Sequence, residues 1–169
     1  MTSSSGQDND ETIRVRQLEP AHVAEVMRIA VETRLSHWSA QSYLDEMKNP
    51  DAVMLRLADD DYPVAGFIVG RFIAGGTVEV RKDAEIYNIA ITSDKQRCGL
   101  GQRLLDAFLE RCRESEARQV WLEVRESNNK AIDFYRKNGF EYVQTRPNFY
   151  DEPREHALLM RLDLKDREG

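Results

Sequence analysis

The sequence predicts one α/β or α+β domain in which a mixed sheet carries helices. Segments such as 85–91 and 119–124 alternate with the two-residue period of strands. Segment 100–112 instead repeats its apolar residues at helical spacing. The chain has 169 residues and shows no internal repeat or interdomain linker, which suits a single domain. The domain is expected over residues 12–163, after a disordered tail at 1–11 and before a frayed end at 164–169.

The elements can be read in order. Ile13, Val15 and Leu18 open with strand alternation, and Pro20 leads into a helix with Val23, Val26, Met27 and Ala30 on one face. Ser39 is placed to cap a second helix through Tyr43, Leu44 and Met47, which ends at Asn49-Pro50. Strands are expected at Val53–Leu57 and Val64–Phe72, joined by the turn Asp59-Asp60-Asp61-Tyr62-Pro63. A third covers Glu85–Ile91. The helix starting near Leu100 places Leu104, Leu105, Phe108, Leu109 and Cys112 on one buried face. Strand Gln119–Val124 follows. Ser127-Asn128-Asn129 then caps a short helix from Lys130 to Lys137, closed by Asn138-Gly139. Phe140–Thr145 and His156–Leu162 read as a final strand pair.

Composition excludes several functions. The formal charge of −6 argues against a nucleic-acid binder held by a basic face. No apolar run approaches the ~20 residues of a membrane span, and the N-terminus lacks the apolar stretch of a secretory signal. Cys98 and Cys112 form no CxxC or Cys/His cluster, so reduced thiols in the cytoplasm are expected, with no metal. His22, His37 and His156 lie far apart in sequence, as surface or satisfied histidines do. Residues 1–85 carry 9 basic and 15 acidic side chains, net −6, against 15 and 15 in residues 86–169. The acidic half either attracts a cationic partner or, as acidic surfaces more often do, serves only solubility. The run Arg111 to Arg118 reads as a solvated helix face.

The strand at 85–91 passes through Gln96-Arg97-Cys98-Gly99-Leu100-Gly101 directly into a helix. A strand, a glycine-containing loop and a helix N-terminus make an anion site, because unpaired N–H groups and the positive dipole end face the ligand. A Walker A loop would need Gly-Lys-Ser/Thr, where this chain has Gly101-Gln102-Arg103. A dinucleotide fingerprint would need a third glycine, where this chain has Leu104. The remaining pattern, Gln/Arg-x-x-Gly-x-Gly/Ala, is filled by Gln96, Gly99 and Gly101.

That loop resembles the pyrophosphate-binding loop of the GNAT family of N-acetyltransferases, which bind acetyl-CoA. Leu122-Glu123-Val124-Arg125, Asn128, Phe134-Tyr135 and Asn138-Gly139-Phe140 resemble the second half of the same family. Within the family, these segments and Asn88-Ile89-Ala90-Ile91 are similar to the RimI-type group, which acetylates the N-terminal alanine of a small-subunit ribosomal protein. His37-Trp38-Ser39 with Tyr43, and Arg146-Pro147-Asn148-Phe149-Tyr150, resemble that group's early and late stretches. His37 and Pro147 depart from its pattern where the peptide would bind, which bears on the acceptor and not on the chemistry.

The resemblance implies a GNAT fold with a mostly antiparallel sheet. It also implies acetyl-CoA as donor, no metal, and a monomer acting on a protein N-terminus without nucleic acid or membrane. Gln96, Arg97, Cys98, Gly99, Leu100 and Gly101 would hold the pyrophosphate, and backbone groups of Ile89, Ala90 and Ile91 the acetyl and pantetheine portion. Asn128 is either a helix cap alone or also a cofactor contact. Glu123 is either an exposed strand carboxylate or the base, and Tyr135 either a core tyrosine or the acid for the departing thiolate. Cys98 is expected to pack, and Trp38 with Tyr43 to anchor a helix. A lysine or small amine as acceptor, or a non-catalytic acyl-CoA-binding module, are the alternatives.

Overall fold

Seven strands and four helices form among the described residues, 12–35, 38–75 and 82–164, of a computed structural model of the protein. They are β1 (Arg14–Gln17), α1 (Val23–Glu32), α2 (Ala40–Met47), β2 (Ala52–Ala58), β3 (Gly66–Ala74), β4 (Lys82–Ile91), α3 (Leu100–Glu114), β5 (Gln119–Arg125), α4 (Asn129–Lys137), β6 (Glu141–Tyr150) and β7 (Glu155–Asp163). Short 3-10 turns occupy Pro20–His22 and Ser93–Lys95. The strand order is β1-β2-β3-β4-β5-β7-β6. β4 and β5 pair parallel, whereas β1–β2, β5–β7 and β6–β7 are antiparallel, which is the mixed sheet expected. The tail at 1–11, His37 and residues 165–169 of the expected frayed end lie outside the described residues.

The described residues group into two compact units, those within 1–70 and 88–111 and those within 71–87 and 112–169. In the first, α1 buries Val23, Val26, Ile29 and Ala30. Ser39 caps α2 by accepting the Ser42 N–H at 3.0 Å. Tyr43 is fully buried, with its ring 5.2 Å from Trp38 and edge-on to Phe67, as the helix-anchor reading expects. Asp59 accepts the N–H groups of Asp61 and Tyr62, which folds the turn between β2 and β3. Leu100, Leu104, Leu105, Phe108 and Leu109 are all buried, each contributing about 1.5–3 kcal/mol of transfer free energy. The Arg103 guanidinium donates to the Ile13 carbonyl, tying α3 to the start of β1.

In the second unit, Val120, Leu122 and Val124 turn inward from β5 while Glu123 lies on the opposite face. Asn128 caps α4, and Gly139 closes it at φ +88°, a conformation that favours glycine. Two expectations need correction here. Arg118 is not on a solvated face, because its guanidinium lies 3.6 Å from the buried carboxylate of Asp83, which Trp121 Nε1 also approaches at 3.4 Å. The penultimate strand does not stop at Thr145 but runs to Tyr150, through Pro147. β6 lies at the sheet's edge and shifts register between Arg146 and Tyr150, so the missing proline N–H breaks no ladder.

Gly66 sits where β3 approaches the end of β4. A Cβ there would stand 2.8 Å from the Ala90 carbonyl oxygen and 2.4 Å from Ile91 Cδ1. The side chain can swing aside but the carbonyl cannot, so Gly66→Ala is expected to cost about 1–3 kcal/mol by overpacking. Thermal unfolding should show the midpoint falling by about 2–4 °C per kcal/mol. An unchanged midpoint would show that β3 has room there.

Candidate active site

The predicted cofactor loop lies in the first unit and is held at both ends. At its start, Ser93 N–H and Thr92 Oγ1 donate to Glu32 Oε1 at the end of α1. The hydrogen bonds from Ser93 hold the Glu32 carboxyl below its ordinary range. Tyr62 OH donates to Asp94 Oδ2 at 2.7 Å, and the Lys95 ammonium lies 4.9 Å from the Tyr62 ring centre. These contacts fix the short turn that delivers the chain to Gln96. Gln96 Nε2 then donates back to the Ile91 carbonyl at 3.1 Å, closing the loop onto its own strand.

Arg97 and Gly99 both take positive φ, +65° and +76°. Left-handed residues at such positions let successive N–H groups converge on an anion. Leu100 is buried and seats the helix start, while Arg103 N–H reaches the Gly99 carbonyl at 3.2 Å. The first N–H groups of α3 are therefore directed out of its end. A Cβ built on Gly99 meets nothing within 4 Å, so the backbone there is open to a ligand. Cys98 does not pack as expected. It is exposed, because the two left-handed residues beside it leave the inward position to Leu100, and its thiol faces the Gln96 carbonyl at 3.6 Å. Ile89, Ala90 and Ile91 lie beyond the β4–β5 register, which covers Ala84 to Ile86.

The predicted catalytic pair lies in the second unit. Glu123 is only 14% exposed and meets the Arg146 guanidinium at 2.7 Å. Burial raises the proton affinity of Glu123 above the ordinary carboxylate range, Arg146 opposes that shift, and Glu85 adds to it. Burial wins over the pairing. Strands lie about 4.7–4.9 Å apart, so Arg146 on β6 must cross β7 to reach β5. Its partner on β7 is Ala157, whose methyl group leaves the guanidinium room to pass.

Tyr150 pushes the site further. Burial, followed by the charge of Glu123, raises its hydroxyl to about 12. Arg125 stacks 4.2 Å over the Tyr150 ring and reaches Glu155 at 3.3 Å. Glu155 in turn accepts the Ser127 N–H at 2.6 Å, which pins the chain entering α4. Asn128 Oδ1 accepts the Ala131 N–H at 3.2 Å, the helix-cap role. Tyr135, one turn on, is 6% exposed between Phe134 and Phe140. Burial and then Tyr150 push its hydroxyl well above the ordinary range, so it stays a proton donor. Sequence reasoning named Arg146 and Tyr150 only within a late stretch where the peptide would bind, without linking either to Glu123, and did not single out Glu155. Pro147 reads as an interruption, whereas one strand carries both Arg146 and Tyr150. Among the described residues, no group of three His, Cys, Asp or Glu side chains is placed to hold a metal.

The chain is similar to proteins of known activity. The profile of the acetyltransferase (GNAT) family matches residues 16–140. The ribosomal protein bS18-alanine N-acetyltransferase of Haemophilus influenzae is 30% identical over 149 residues, covering 86% of this chain and 95% of that protein. The solved structure of the Escherichia coli ribosomal-protein-S18-alanine N-acetyltransferase superimposes with a TM-score of 0.75 at 27% identity, covering 89% of this chain and 93% of that one. That of Ard1 from Thermoplasma volcanium superimposes with a TM-score of 0.80 at 30% identity, covering 92% and 99%.

The open backbone at Gly99 makes a direct test of the loop. Gly99→Val places a branched side chain at φ +76° and fills the space above the loop. Titration calorimetry should show acetyl-CoA affinity reduced at least about tenfold, or ~1.4 kcal/mol. Unchanged affinity in the folded variant would move the ligand elsewhere.

Proposed function

The chain belongs to the acetyltransferase (GNAT) family and is an acetyl-CoA-dependent N-acetyltransferase, and from that premise we propose that its acceptor is the N-terminal α-amine of a protein, that of a ribosomal protein beginning with alanine. The relative from Haemophilus influenzae is named for that reaction and aligns along 86% of this chain. Such an acceptor would be met in the cytoplasm, by a monomer with no nucleic acid or membrane of its own to bind. No helix among the described residues is long and apolar enough to cross a membrane.

The observation that carries the reading is a half-buried carboxylate with raised proton affinity on the same unit as a tyrosine kept protonated. When bound, acetyl-CoA supplies the acetyl thioester. The loop Gln96–Gly101, with Arg97, Cys98 and Leu100 contributing backbone, fits its pyrophosphate because Gly99 leaves open space beside a helix end. Ile89, Ala90 and Ile91 would offer backbone groups to its arm, and Asn128 a further contact beyond its cap.

Glu123 accepts a proton from the acceptor ammonium, directly or through water, so that the nitrogen becomes nucleophilic. An α-amine has a pKa of about 7.7–8.0 against about 10.4 for lysine, so a carboxylate of raised proton affinity suffices for a peptide N-terminus. Tyr135 donates its hydroxyl proton to the departing thiolate. Tyr150, which interacts electrostatically with both Glu123 and Tyr135, is covered by the Arg125 guanidinium stacked on its ring.

Incubation with acetyl-CoA and N-terminal peptides, followed by mass spectrometry, tests the acceptor. A peptide beginning with alanine should be acetylated on its α-amine. Faster acetylation of an internal lysine in a blocked peptide, or of a free small amine, would refute the assignment. Tyr135→Phe keeps both ring contacts and should lower kcat about 10²–10⁴-fold with little change in melting temperature. In the wild type the active form of Glu123 is the carboxylate, so kcat/KM should fall on the acid side. Because burial raises Glu123, that limb should lie above the ordinary carboxylate value of about 4.3. Glu123→Gln should slow turnover and remove the limb. Full activity in both variants would dismiss the two roles.

A further inference from the structure

A base in direct contact with a guanidinium is poorly placed to take a proton. Glu123 Oε1 meets Arg146 Nη1 at 2.7 Å, so the position needed by an incoming ammonium is filled by a cation of the protein itself. The two side chains differ in exposure and in position in the sheet. Glu123 is 14% exposed and held on an inner strand, whereas Arg146 is 45% exposed on the edge strand. Arg146 also has a second contact that does not depend on Glu123, since its guanidinium already lies 5.8 Å from the ring centre of Phe149, itself exposed. A guanidinium over an aromatic face retains part of its stabilisation after leaving a carboxylate.

We propose that Arg146 is a placeholder cation, which neutralises Glu123 in the resting protein and yields that carboxylate to the α-ammonium group of the acceptor. The proposal rests on the function proposed above. At neutral pH most α-amines are protonated, so the exchange replaces one cation by another and leaves the charge of the site unchanged. One N–H···O contact breaks and another forms. Proton transfer then breaks an ammonium N–H bond and forms a carboxyl O–H bond, leaving a neutral amine beside a neutral acid. Arg146 is a positioning residue in this scheme. It keeps a half-buried anion from standing alone and reserves its place for a cationic acceptor.

The groups that act on Glu123 are Arg146 and Tyr150 from β6 and Glu85 from β4. Of these only Arg146 is a cation, so removing it should move the Glu123 titration upward in pH. The test uses the full chain, with Arg146→Gln and Arg146→Lys. Carbon-13 NMR of the glutamate carboxyls, with Glu123→Gln to assign the signal, should show the Glu123 midpoint higher in Arg146→Gln without any acceptor present. The KM for an alanine-first peptide should fall about two- to fivefold in Arg146→Gln, the scale of a partly exposed ion pair. Arg146→Lys, which restores a cation, should return both readings towards wild type. An unmoved midpoint, or a KM that rises because Arg146 binds the acceptor itself, would overturn the exchange while wild-type acetylation of the peptide stands. Absence of that wild-type acetylation would instead remove the proposed function, and the exchange with it.

Discussion

A carboxylate withdrawn from water sets the construction of the second unit. Solvent loss disfavours the charged form of Glu123, and the cation that opposes this effect, Arg146, belongs to another strand. The offset arrives from two strands away, through a long side chain that passes over the smallest residue of the intervening strand, Ala157. Once that arrangement is required, the rest follows. β6 must extend to residue 150 to carry both Arg146 and Tyr150, and Arg125 and Glu155 must hold Tyr150 against the same face. The balance is deliberately incomplete, in that the guanidinium reduces the burial effect without cancelling it.

The first unit solves a different problem, that of keeping an irregular segment rigid without filling it. Its loop has little core of its own beyond Leu100, so polar contacts supply the constraint. Glu32 grips Thr92 and Ser93, Tyr62 grips Asp94, and Gln96 returns to Ile91. Each anchor comes from an element that is itself packed or turned in a defined way. The loop backbone is thereby held in place and still remains open at Gly99, and a segment ordered in advance has less ordering cost to meet on binding.

Much of this was legible in the sequence because it depends on local pattern. The helical face from Leu100 to Cys112, the caps at Ser39 and Asn128 and the turn at Gly139 all follow from residue type and spacing, and each is found where expected. What was not legible depends on tertiary neighbours. Pro147 reads as an interruption until β6 is known to be an edge strand. Arg118 reads as solvated until the carboxylate of Asp83, distant in sequence, is seen beside it. Cys98 reads as a packing residue until the left-handed backbone on both sides is known. The partner of Glu123 is the plainest case, since no rule of spacing relates position 123 to 146 when the two are neither on one helix nor on adjacent strands.

The strand order β5-β7-β6 carries a consequence for how the protein comes into being. β7 is made after β6 yet lies between β6 and β5, so the two outer strands have nothing to join them until it arrives. A nascent chain that has emerged only as far as Tyr150 holds both Glu123 and Arg146 but no scaffold to bring them together. The Ser127 amide likewise waits for Glu155, 28 positions later. Closing such long-range pairings is entropically costly and slow compared with forming helices. Synthesis and competence are thereby separated in time, and the carboxylate acquires its special environment only when the chain following Tyr150 has been translated and inserted.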